Sequence, residues 1–143
     1  MEELFELKAY IEEGRYAEAL QLVAEMEEMA KDDKINKIYS FTVILLLHLL
    51  KKHAEQRTTR SWEYSIWNAN HQIRRVNKRR QAGGFYLSDQ EMHEVMAEAY
   101  PDALKRTALE AFEGQYTEVQ LEAMIDREQL QQEALAMLLR EQE

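Results

Sequence analysis

The chain has 143 residues, with 18 Lys and Arg against 27 Asp and Glu, a net charge of −9, no Cys, one Pro and four Gly. A chain of this length can bury one real core, and so little Gly and Pro leaves scant turn material for a sheet, which points to helix nearly throughout. The lack of Cys excludes disulfides, a thiol nucleophile and thiolate metal sites. The longest apolar run, Phe41 to Leu50, falls well short of the roughly 20 residues that a membrane span takes.

The acidic, amphipathic start MEELFELKAY is unlike a signal peptide, so a cytoplasmic location without membrane association is expected. The net charge hides a division. Residues 51–80 hold nine Lys and Arg and two acids, a balance of +7, which leaves −16 on the rest. One basic face on an acidic body suits either internal pairing or an acidic partner.

Residues Glu2 to Glu13 place Leu4, Leu7 and Ile11 at helical spacing, and Gly14 follows as a C-terminal stop. A second helix starts near Tyr16, with Ala19, Leu22, Val23, Met26 and Met29 as its expected buried stripe. Asp32-Asp33 then caps or interrupts before a third helix, about Lys34 to Glu55. From Phe41 onward that helix is apolar all round, so it should be buried all round and form the centre of a bundle. Lys51, Lys52 and His53 in its last turns complement the negative end of the helix dipole.

After the connector EQRTTR, Ser61 is the expected N-cap of a fourth helix, with Glu63 in its first turn. Trp62, Ile66, Ala69, Ile73 and Val76 share one stripe, while His71, Arg74, Arg75 and Lys78 gather on the other side as a basic surface. This pair of helices, about 34–81, makes the central buried hairpin. Gly83-Gly84 breaks the chain, and Ser88 with Glu91 forms a capping box flanked by Leu87 and Met92 as a hydrophobic staple. The fifth helix runs on to Gly114, with a kink or restart expected at Tyr100-Pro101. Thr117 with Gln120 opens the last helix, about 117–141, whose REQE end should fray.

Two corners echo one another: Glu13-Gly14-Arg15-Tyr16-Ala17-Glu18 and Glu113-Gly114-Gln115-Tyr116-Thr117-Glu118. In both, Gly should be left-handed and the Tyr should pack into the joint. No copy recurs at the period of a helical array, so a solenoid is rejected. The expectation is an all-α, single-domain bundle of about six helices.

Leu22 to Lys31 (LVAEMEEMAK), the string His48-Leu49-Leu50-Lys51, then Arg57, Arg60-Ser61-Trp62 and Ile66 resemble the bacterial family named domain of unknown function twenty-nine. Glu98-Ala99-Tyr100 and Asp102-Ala103 are similar to that family's later helix. The resemblance covers about residues 4–114 and implies a helical fold with no known activity. The connector Lys52-His53-Ala54-Glu55-Gln56 departs from the family pattern, lacking its aromatics and Pro.

The most suggestive chemistry lies at the hairpin mouth. His48 and Trp62, with Arg57, Arg60 and Ser61 nearby, could form a hydrolase, small-ligand or anion site. No carboxylate or nucleophile lies beside His48 in sequence, so a structural His and a Trp plugging the core are preferred, and no catalytic residue is named. His48, His53, His71 and His93 show no chelating spacing, so no metal and no cofactor are expected. Glu94, Glu98 and Asp102 align on one helix, yet the second acidic pair of a Mg²⁺-dependent pyrophosphohydrolase is missing.

The cluster Arg74, Arg75, Lys78, Arg79 and Arg80 could meet phosphates. With no recognition helix and no exposed aromatic series, specific nucleic-acid reading is not expected, and only weak backbone binding is kept open. The expected role is a non-catalytic module acting through a protein partner or as a homo-oligomer, with seven Met supplying adaptable apolar contacts.

Overall fold

The computed structural model describes residues 2–79 and 83–139. Arg80, the last step of the 34–81 hairpin and the REQE end lie outside them. Among the described residues there are six α-helices, one 3-10 turn and no strand: α1 (Glu2–Glu12), α2 (Tyr16–Glu55), α3 (Arg60–Asn77), α4 (Asp89–Glu110), the turn Ala111–Gly114, α5 (Glu118–Ala123) and α6 (Arg127–Leu139). The chain divides into two compact units, Met1–Lys34 and Ile35–Glu143.

The expected break at Asp32-Asp33 does not occur; α2 runs unbroken for 40 residues. Neither Gly nor Pro interrupts it, and two Asp in a helix interior cost only a few tenths of a kcal/mol each, about the spread of ordinary propensities. The expected apolar stripe over 19–29 is also largely absent. Ala19 is buried, Leu22, Val23 and Met26 are half-buried, and Met29 is exposed. In α1 no residue is buried.

The core belongs to the second unit. Val43, Leu45, Leu46, Leu47, Leu49 and Leu50 of α2 are buried on successive sides, as the all-round apolar run requires. Thr42 is buried with them, and its hydroxyl donates to the Ile38 carbonyl at 2.7 Å. Ile66, Ala69 and Ile73 of α3 join this core, as do Met92, Met96, Ala99, Tyr100 and Ala103 of α4. Leu121, Leu130, Ala134 and Leu138 complete it. Each fully buried Leu or Ile stabilises by about 1.5–3 kcal/mol relative to exposure.

Helix α4 opens on the Ser88–Glu91 capping box, with both reciprocal hydrogen bonds at 3.1 Å. Pro101 does not divide it: α4 continues from Asp89 to Glu110. Pro101 and Ala97 are both exposed, so the Ala97 carbonyl that loses its amide partner belongs to a solvent-exposed stretch of the helix.

The C-terminal helix expected over 117–141 is instead two. Thr117 and Gln120 form the capping box of α5, and the chain then turns through Met124 and Ile125, whose amides bond to Leu121 and Glu122. Asp126 accepts from the Gln129 amide at 3.2 Å and restarts the helix as α6.

Of the two Gly corners, the second matches its expectation. Tyr116 is half-buried, edge-on to Phe112 with ring centroids 5.0 Å apart. Tyr16 is exposed and fills no joint. At Gly114 (φ +77°) a Cβ would meet the Leu109 carbonyl at 3.3 Å, so both backbone strain and a tight contact disfavour a side chain there.

Candidate functional site

Two regions of the second unit bring chemistry-bearing side chains together: the hairpin mouth, and the outer face of α3.

At the mouth, the last turns of α2 are tied to three other segments. Lys51 Nζ lies 3.2 Å from Glu110 at the end of α4, Lys52 Nζ 2.8 Å from Glu63 in α3, and His53 Nε2 2.8 Å from Glu133 in α6. The same side chains that lie at the negative end of the α2 dipole therefore act as cross-links. Glu63 also accepts from the Thr58 hydroxyl at 2.7 Å. The Lys52 hydrogen bond, then that of Thr58, holds its carboxyl below the usual Glu value.

The connector then caps α3. Its N-cap is Thr59 rather than the expected Ser61: Thr59 is extended (φ −129°, ψ 162°) and its hydroxyl accepts from the Trp62 amide at 3.0 Å. Ser61 lies already inside the first turn, where its backbone is helical and cannot cap.

Trp62 is half-buried, with the Arg57 guanidinium 4.6 Å and the Lys51 ammonium 5.7 Å from its ring centroid. Beside it opens a cleft of about 420 Å³ lined by Lys51, Glu55, Arg57, Trp62, Glu110 and residues 112, 113 and 115. Arg57 and Trp62 of the expected site thus meet there. His48, Arg60 and Ser61 do not line it; His48 is half-buried on α2, where its Nδ1–H donates to the Ile44 carbonyl at 2.9 Å.

Lys51, Glu110, Glu55 and Glu113 are the members that sequence reasoning passed over. Lys51 is buried yet paired with Glu110, and Arg57 is paired with Glu55 at 3.0 Å. Three residues other than Gly adopt left-handed backbone around this mouth: Gln56 (φ 51°), Phe112 (φ 50°) and Glu113 (φ 57°). Such positions cost about 1–3 kcal/mol each and persist only where the surroundings fix them.

The second region was only half legible. His71, Arg75 and Lys78 are exposed as expected, and Arg74 is half-buried beside them. On the same face, one to two turns earlier, stand Tyr64 and Trp67, 63% and 56% exposed. Trp67 stacks on the His71 ring at 5.1 Å and 5°, and Tyr64 lies 6.0 Å from Trp67. An exposed aromatic series was not expected, and here one is.

The signal was in the spacing. At 100° per residue, Arg60, Tyr64, Trp67, His71, Arg75 and Lys78 fall within about 80° of arc, opposite Ile66, Ala69 and Ile73.

The acidic ladder of α4 has structural partners. Asp102 pairs with Arg106 at 3.6 Å. Burial, followed by Asp102 and Glu98, pushes the Tyr39 phenol up, so these carboxylates lie near a half-buried ring. No group of three or more His, Asp or Glu among the described residues is placed to hold a metal ion, and no helix there is long and apolar enough to cross a membrane.

A family model, Domain of unknown function DUF29, matches residues 11–137. The chain belongs to that family. The DUF29 match begins later than the resemblance over 4–114 and extends through α5 and most of α6, so the C-terminal helices are part of the family domain. The hairpin mouth and the outer face of α3 both lie inside the DUF29 region. No curated protein and no solved structure matches the chain.

Proposed function

We propose that this DUF29 chain is a non-catalytic docking module, working in the cytoplasm, that holds an acidic polypeptide segment carrying apolar side chains on the outer face of α3. The observation that carries this reading is the exposed run Tyr64–Trp67–His71 bracketed by Arg60, Arg75 and Lys78. Aromatic rings and cations on a rigid helix are the anchor types that dominate polypeptide interfaces. Cations at both ends of the run select acidic partners and steer their approach.

Single-stranded nucleic acid is the other polymer that stacks on aromatics beside cations. It is the weaker fit. One face of Trp67 is already covered by His71, which leaves only the other for a base to stack on.

The test is a calorimetric titration with a synthetic amphipathic peptide of Glu and Leu. The expected result is saturable binding that weakens with salt and is lost in Trp67→Ala and in Arg75→Glu/Lys78→Glu. Response to an oligothymidine but not to the peptide would replace this reading with the nucleic-acid one.

A second reading is favoured by the cleft of about 420 Å³ beside Trp62, a volume within the range of small-ligand sites. Its cations are paired, Lys51 with Glu110 and Arg57 with Glu55, so it would bind rather than react. Calorimetric titration with inorganic phosphate and with small carboxylates is the check; absence of heat from either retires it.

A further inference from the structure

The reading above rests on an acidic partner of unstated origin. We propose that this partner is a second copy of the chain, whose α1 lies on the outer face of α3.

Three observations on α1 carry this. It has no buried residue, although Leu4, Phe5 and Ile11 are apolar; they are 53%, 71% and 50% exposed. It carries Glu2, Glu3, Glu6 and Glu12 against Lys8 alone, which makes it the charge complement of Arg60, Arg75 and Lys78. Its length matches as well: Glu2 to Glu12 and Tyr64 to Arg75 each span about 16 Å at 1.5 Å per residue.

A helix of eleven residues is marginal by itself in water, so α1 gains further order from a surface that takes its exposed apolar side chains. The outer face of α3 offers rings of the right kind and charges of the right sign, and every copy supplies both. Each copy carries both patches, so the contact either closes reciprocally as a two-fold dimer or runs head to tail into rings or open chains. One short helix buries a small area, so the association is weak, concentration-dependent and screened by salt.

The test uses the full chain and two variants, each spoiling one half: Leu4→Ser/Phe5→Ser on α1, and Trp67→Ala/Arg75→Glu on α3. All four positions are exposed, so neither variant opens the core. In sedimentation velocity from micromolar to millimolar chain, the unaltered protein should self-associate, less so at high salt. Each variant alone should associate about ten-fold more weakly or worse, the effect of losing an aromatic anchor. An equimolar mixture of the two should form dimers and nothing larger, because one intact interface remains.

Unaltered protein that stays monomeric throughout, or a mixture that fails to form dimers, overturns the second-copy assignment. If the chain is monomeric but the Glu–Leu peptide still binds at Trp67, the assignment falls while the docking reading stands. If neither associates, both fall.

Discussion

The imidazole of His53 lies 2.8 Å from the carboxylate of Glu133, eighty residues further along the chain. This contact, half-shielded from solvent, fixes the end of α2 against α6. A double-mutant cycle of His53→Ala and Glu133→Ala should give a coupling of about 0.5–1.5 kcal/mol, the range of a net protein hydrogen bond. Hydrogen exchange should locate the loss: amides of α6 exchange faster in either variant, while those of α4 hold their protection. Equal loss in both helices would place the contact's effect elsewhere.

Asn77 should be the least replaceable polar residue. It is fully buried; its side-chain oxygen accepts from the Leu87 amide at 2.8 Å, and its carbonyl accepts from the Tyr86 amide at 2.8 Å. Asn77→Ala would leave the buried Leu87 N–H without an acceptor, at a cost of about 1–3 kcal/mol. Chemical denaturation should show a lowered midpoint with an unchanged slope.

Glu63 sets an acid-side limit on stability. Its carboxyl is held below its ordinary value, chiefly by the Lys52 hydrogen bond. A depressed folded value means that the stabilisation is fully present above the unfolded value of 4.5 and is lost as pH falls through the lower, folded one. Glu63→Gln should therefore be less stable than the unaltered protein near neutrality, and the gap should close below pH 4.5. Thermal melts across that range give the answer; a gap that persists at low pH would refute the assignment.

Tyr100 offers a gain. Its ring is buried with the Arg127 guanidinium 4.2 Å from the centroid, and its hydroxyl is buried without a hydrogen-bond partner. Burial, then the nearby Glu122, pushes the phenol up, so it stays neutral and uncompensated. Tyr100→Phe keeps the ring and removes an unsatisfied group, and should raise stability by about 0.5–2 kcal/mol. A lowered melting temperature would mean that the hydroxyl has a partner after all.

The helical class and the buried axis were legible because Phe41–Leu50 and the α3 stripe carry strong, unambiguous periodicity. The expected number of helices also matches, although two boundaries differ in opposite directions. Asp32-Asp33 reads as a cap signal, yet a helix already propagating passes two exposed Asp at small cost. At Met124–Asp126 no Gly or Pro announces a break; the restart depends on the Asp126 side chain finding the Gln129 amide. The cleft beside Trp62 was half legible. Arg57 and Trp62 were in view, whereas Glu110 and Glu113 reach it through folding alone. Tyr64 and Trp67 were legible in spacing but masked by the attention that a basic run draws.

The unbroken course of α2 also has a kinetic meaning. Starting a helix is slow and costly, whereas adding a residue to an existing one takes about a nanosecond. The stretch of α2 from Ile38 to Leu50, held in the core, is a ready nucleus for the turns that precede it. Residues 16–34 need no nucleation event of their own; they wind and unwind as a zipper from an end held in the core. Exchange rates along α2 should therefore rise smoothly toward Tyr16, and the acidic N-terminal turns should re-form after fraying far faster than an independent helix of the same sequence.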